Sequence, residues 1–242
     1  VPIRRRLIKY QDKHYIFKGC PVVKLNQLPQ GTIIFDDNVT YTGAGDGLIQ
    51  YLATSGDYNE AHDAGTGTNV ASLTNQVGQN YYVAQEWHRI DRLFMYFNTE
   101  GLPDTATIDV GTKIQLCCET DVSDTDFDLC TLKGTQGTTL ELADYDAWDS
   151  ETEGADRWNS VNYSDESYID LPLNATGRGW IDKEGNTFFC FRSLEDINSS
   201  PPTGQEWLTF RASNDANKEP KLYVVYSEVP PPTYIPKVIM VT

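Results

Sequence analysis

Hydrophobic and polar positions alternate along most of this chain, and clusters of Gly, Pro, Asn, Asp and Thr interrupt the alternation. A period of two marks half-buried strands bounded by turns. The clearest run is Trp87-His-Arg-Ile-Asp-Arg-Leu-Phe-Met-Tyr-Phe-Asn-Thr99. A Pro-containing turn in Gly101-Leu-Pro-Asp-Thr-Ala-Thr-Ile108 follows, and then a second strand, Lys113-Ile-Gln-Leu-Cys-Cys118. The same pattern predicts strands at 47–51, 80–83, 127–132, 167–171, 187–192, 206–211 and 221–226. Helix is nearly absent. Asn174–Trp180 reads as a single turn capped by Asn174, and Gly177 and Gly179 keep it short. Many short strands separated by turn clusters predict an all-β sandwich.

The pattern divides the chain into three parts. Residues 1–30 read as a basic arm with strand-like pieces at His14–Phe17 and Pro21–Lys24, closed by Pro29-Gln-Gly31. Residues 31–227 form the sandwich. In residues 228–242, Pro230-Pro-Pro232 makes a stiff spacer before Tyr234-Ile-Pro-Lys-Val-Ile-Met-Val-Thr242, an apolar strand candidate. A free strand of that kind is a sticky edge, so it is expected to add to a sheet, its own or a neighbour's. No internal repeat of solenoid or propeller period occurs.

Composition agrees with strands. Tyr (14), Phe (9) and Trp (5) are plentiful and Met (2) is scarce. No run approaches the roughly 18 apolar residues that span a bilayer, so membrane insertion is not expected. No charged and apolar leader is read ahead of Val1. Charge changes the picture more. Residues 1–30 hold seven basic residues and one acidic, 7 − 1 = +6, while the remainder holds 12 and 34, 12 − 34 = −22. An acidic body repels nucleic acid and anionic membrane. A basic arm on such a body is suited to dock on another copy or another acidic partner. The expected assembly residues are therefore Arg4, Arg5, Arg6 and Lys9 in the arm, with Tyr234, Ile235, Val238 and Ile239 in the tail.

The runs above, taken in order with Tyr58-Asn-Glu-Ala-His-Asp63, Val77-Gly-Gln79, Ile169-Asp-Leu-Pro-Leu-Asn174 and Gly185-Asn-Thr-Phe-Phe-Cys-Phe-Arg192, close on Pro220-Lys-Leu-Tyr-Val-Val-Tyr226. Over about residues 45–226 this order resembles the DNRLRE-type jelly rolls and their phage-encoded relatives, which are related to carbohydrate-binding modules. The resemblance implies a jelly-roll β-sandwich, non-catalytic, carried in a larger assembly on a virion surface or outside the cell. The arm and the Pro-spaced tail lie outside it and point to assembly. On this reading the protein is a structural subunit, a capsid decoration or tail and fibre component or a filament subunit, forming a homo-oligomer or joining other structural subunits. The alternative is a carbohydrate-binding module.

The chemistry supports no enzyme. His14, His62 and His88 form no zinc pattern, although His62 stands between Glu60 and Asp63. No nucleophile elbow, phosphate loop or metalloprotease motif is present. For a sugar, the aromatics Tyr145, Trp148, Trp158 and Tyr163 in the acidic stretch 144–166 are the candidates to stack on a pyranose ring. The one cofactor for which the sequence leaves room is a structural Ca²⁺, held by the alternating Asp124, Asp126 and Asp128. Cysteines number five, an odd count. Cys117 and Cys118 should point to opposite strand faces, so one at most faces the core. The preferred reading of these cysteines is small buried hydrophobes, with a contact of Cys130, on an expected neighbouring strand, to Cys117 or Cys118 as the alternative.

Overall fold

The alternating runs fold as strands in the computed structural model of the chain, which describes residues 4–10, 13–19 and 35–228. Contacts divide the chain into two units, Val1–Phe35 and Asp36–Thr242. In the first, β1 (Arg4–Tyr10) pairs antiparallel with β2 (Lys13–Gly19). The register sets Arg5 opposite Lys18, Arg6 opposite Phe17 and Lys9 opposite His14. The strand expected at His14–Phe17 lies within β2. The pattern does not single out β1, because three consecutive arginines interrupt its alternation. Pro21–Lys24, Cys20 and the terminal strand candidate with its Pro spacer lie outside the described residues.

The second unit is all-β. It holds β3 (Phe35–Ala53), β4 (Asn69–Ser72), β5 (Asn75–Tyr82), β6 (Trp87–Asn98), β7 (Thr107–Ile108) and β8 (Lys113–Asp121). After these come β9 (Asp128–Lys133), β10 (Trp158–Asn159), β11 (Tyr168–Pro172), β12 (Asn186–Ser193), β13 (Gln205–Phe210) and β14 (Lys221–Glu228). The connections carry α1 (Tyr58–His62), α2 (Ala175–Arg178), α3 (Leu194–Ile197) and a 3₁₀ turn at Leu142–Asp146. As the sequence predicts, Asn174 caps α2: its Oδ1 accepts from Thr176 N at 2.8 Å and Gly177 N at 3.1 Å.

Strand pairing runs in a closed circuit, β6–β5–β13–β8–β14–β3–β6, which joins the layers of the sandwich at their sides. β12, β9 and β10 extend from β6, β11 from β8, β7 from β14 and β4 from β3. β6 is the hub: β12 pairs with its Leu93–Asn98 part, β5 with Trp87–Asp91, and β3 with residues between His88 and Phe97. Pairing of this kind protects edges that would otherwise invite aggregation. The long strand β3 shifts register between Ala44 and Gly47. Gly45 makes that bulge at φ +52°, and a Cβ there would meet the Tyr96 ring at 2.3 Å.

The alternation of β6 places two cores on its two faces. Leu93, Met95 and Phe97 join Phe189 and Phe191 of β12, Leu116 and Cys118 of β8, and Leu208 and Phe210 of β13 in the larger core. Ile90 and Phe94 point the other way, with Cys190 and Leu132, into a second core. Tyr58 and Ala61 of α1 and Leu140 and Tyr145 of the 138–148 segment close over it. Alternation alone predicts one wet face for such a strand. Here the covering segments bury that face too.

The described cysteines are small buried hydrophobes, the preferred reading, and the alternative contact of Cys130 with Cys117 or Cys118 does not form. Cys118 is in the larger core, and Cys117, on the opposite face of β8, is fully buried as well. The 211–218 connection covers that face, and Arg211 N donates to Cys117 O at 2.8 Å. Cys130 lies opposite Arg192, because β9 pairs with β12 and β10 instead of β8. Cys117, Cys118, Cys130 and Cys190 are all free thiols. Burial pushes Cys118 up to about 11 and Cys130 and Cys190 up to about 12, so none is a ready thiolate.

Candidate functional site

The densest polar centre lies in the second core. Arg92 of β6 and Arg192 of β12 project from the face that carries Ile90, Phe94 and Cys190. Asp196, on α3, stands between them. Its position is set by Ser193, whose Oγ accepts from Asp196 N at 3.1 Å as the N-cap. Arg92 Nε and Nη2 donate to Asp196 Oδ2 and Oδ1 at 2.9 and 3.0 Å. Arg192 Nε donates to Oδ2 at 2.7 Å. Arg92 also donates to Tyr145 O at 3.2 Å and His62 O at 3.0 Å. Glu151 Oε1 stands 3.5 Å from Arg192 Nη1 as a second, half-exposed counter-charge.

Two aromatic rings complete the centre. The guanidinium carbon of Arg92 lies 4.1 Å from the Tyr145 ring centroid and 4.6 Å from that of Trp148, and Arg192 lies 4.1 Å from Trp148. Tyr145 OH donates to Ala61 O at 2.8 Å. Burial alone would raise the Asp196 carboxyl, but Arg92 and Arg192 overcome it and hold Asp196 well below the usual carboxylate range. Both oxygens are taken and both guanidiniums are stacked. The centre acts as a clamp that fixes α1, α3 and the 138–148 segment to the sheet.

His62 presents a Ser–His–Asp arrangement beside this clamp. Its Nδ1 is 2.5 Å from Asp63 Oδ1, and its Nε2 is 3.1 Å from Ser199 Oγ. However, Nε2 is closer to the carbonyl of Asp196, at 2.8 Å. Both ring nitrogens therefore face acceptors, and a nitrogen that donates to a carbonyl cannot take the serine proton. The neighbouring amides of Asn198 and Ser200 donate to Leu194 O and Glu195 O at 2.9 and 2.8 Å, so neither serves an oxyanion. These contacts close the end of α3.

The four aromatics named for a sugar site divide between the two cores. Tyr145 is fully buried, and Trp148 packs on the two arginines. Trp158 meets Phe210 edge-on at 6.4 Å, and Tyr163 donates to Glu119 O at 3.0 Å while packing on the larger core. They do not form one platform. The three aspartates named for calcium serve separate partners. Asp124 Oδ2 accepts from Gln205 N at 2.9 Å, Asp126 Oδ1 from Ser160 Oγ at 3.2 Å and Asp128 Oδ1 from Asn159 Nδ2 at 2.8 Å. Among the described residues no three His, Cys, Asp or Glu side chains converge as a metal would require.

The assembly residues fare differently. Arg4, Arg5, Arg6 and Lys9 all fall on β1 of the hairpin, whereas Tyr234, Ile235, Val238 and Ile239 lie outside the described residues. A two-stranded ribbon is marginal by itself, and the register of this one puts Arg5 opposite Lys18. This basic hairpin is the candidate functional site. Sequence reasoning missed the Arg92–Asp196–Arg192 clamp. Its trace was an arginine inside the apolar run of each of two strands. No family model matches the chain, and no curated protein matches it.

Proposed function

We propose that the protein is a non-catalytic structural subunit whose basic hairpin docks on the acidic body of a second copy. The observation that carries this reading is the hairpin itself: a unit of +6 charge over residues 1–30, separate by its contacts from a body that is strongly negative. Long-range attraction between opposite surfaces steers such docking and fixes its register. Homotypic docking repeats, and an arm of one copy on the body of the next builds a ring or a filament. The resemblance to phage and secreted jelly rolls supports reading such an assembly as part of a virion surface or an extracellular filament.

Salt dependence tests the reading on the full chain. Sedimentation velocity at low ionic strength is expected to show oligomers that grow with protein concentration. They should dissociate when salt shortens the Debye length to about 3 Å at 1 M. A monomer at every concentration and salt contradicts it.

A further inference from the structure

Residues 36–228 carry 11 Lys and Arg against 34 Asp and Glu, so 11 − 34 = −23. With three carboxylates for every cation, each basic side chain has ample choice of partner. Nine of the 11 stand within 3.7 Å of a carboxylate oxygen. Among the described residues the two that do not are Arg178 and Lys183. Both line the same open cavity of about 360 Å³, with Ile108, Ala175, Gly179 and Ile181 as its other walls.

The two cations are fixed without being neutralised. Arg178 Nη1 donates to Leu173 O at 2.9 Å. Lys183 Nζ donates to Asp104 O at 2.5 Å and Ala106 O at 3.1 Å. Carbonyls hold each group in place and leave its charge unpaired. A guanidinium has five N–H donors and an ammonium three, so four and one remain to meet a ligand. Of the acids that flank Lys183, Asp182 and Glu184, neither forms an ion pair with it, and Asp182 Oδ1 accepts from Glu184 N at 2.8 Å.

We infer that this cavity binds the carboxylate of a small molecule. A fork and a point charge on one wall match an oxyanion, which charge-assisted hydrogen bonds hold well. Ile108, Ala175 and Ile181 give the ligand an apolar flank. The volume reaches the lower end of the roughly 300–1,000 Å³ typical of ligand pockets, enough for a single sugar acid. The site does not depend on the assembly reading.

The probe is glucuronate, with neutral methyl glucoside as its control, titrated into the ¹⁵N-labelled full chain. Glucuronate is expected to give saturable shifts at the Gly179 and Lys183 amides, and methyl glucoside to bind about tenfold or more weakly. In R178Q/K183Q, which keeps donors for the carbonyls but removes both charges, the saturable shifts should disappear. In K133Q, whose partner Asp149 lies elsewhere, they should remain. Near-UV circular dichroism confirms that each variant is folded, and the comparison of the two ligands stands on the unaltered chain. Equal responses to the two ligands, no saturation with glucuronate, or undiminished binding by folded R178Q/K183Q overturns the proposal.

Discussion

Asp196 receives Arg92 at both of its oxygens, with Nε at 2.9 Å and Nη2 at 3.0 Å, deep in the second core. Arg192 shares one of those oxygens at 2.7 Å. A buried carboxylate between two guanidiniums is hard to remove singly, because each cation is then left desolvated. Asp196→Asn is expected to destabilise the fold by about 3–5 kcal/mol, read as a lower midpoint in urea. The sign against pH is also fixed. The folded carboxyl is held below its unfolded value, so its stabilisation is present at neutral pH. It is lost progressively as pH falls from the unfolded value of about 4 through the lower folded value. A change below 1 kcal/mol would show that the clamp does not hold the covering segments.

Asp91 behaves in the opposite sense. Burial raises its carboxyl to about 6, although Arg89 and Gln76 pull it down. Gln76 Nε2 donates to Oδ2 at 2.6 Å, and Arg89 Nε lies 2.9 Å from the same oxygen. A carboxyl whose folded value lies above the unfolded one favours folding when protonated. Its ionised form costs stability above about pH 6, and the cost disappears as pH falls below the unfolded value near 4. The shift corresponds to roughly 3 kcal/mol at neutral pH. The parent is therefore expected to gain melting temperature between pH 7.5 and 4.5, and Asp91→Asn to flatten that rise. Parallel profiles would contradict this assignment.

Trp148 distinguishes packing from ligand stacking. Its ring lies on Arg92 and Arg192, so Trp148→Ala removes two cation–π contacts and part of the lid over the second core. A loss of about 2 kcal/mol is expected, less than for a fully buried Trp. Thermal unfolding measures it. Unchanged stability would free the ring for some other task.

Much of the body was legible because its strands obey a simple period. Arg89–Phe97, Lys113–Glu119 and Thr187–Arg192 each fall inside an observed strand, and Asn174 caps its turn. What period two cannot report is which face a covering segment will bury. Arg92 and Arg192 look like outward positions until α1, the 138–148 segment and α3 fold over them. Tyr145 and Trp148 sit in a strand-poor acidic stretch, where an exposed aromatic and a lid aromatic have the same local sequence. Pairing order was equally hidden. Cys130 follows the Cys117–Cys118 strand in sequence, but β9 crosses to β12, a long-range choice made by core packing. The Arg178–Lys183 cavity had no local signal, since it is recognised only by the carboxylates that are not there.

The hairpin carries the central claim, and its charge is the variable to change. Light scattering on a sizing column would compare the full chain with an Arg4→Glu/Arg5→Glu/Arg6→Glu variant at low ionic strength. The account predicts a concentration-dependent oligomer for the parent and a monomer for the variant, with the body's melting temperature unchanged. Equal masses for the two would contradict assembly through the basic hairpin.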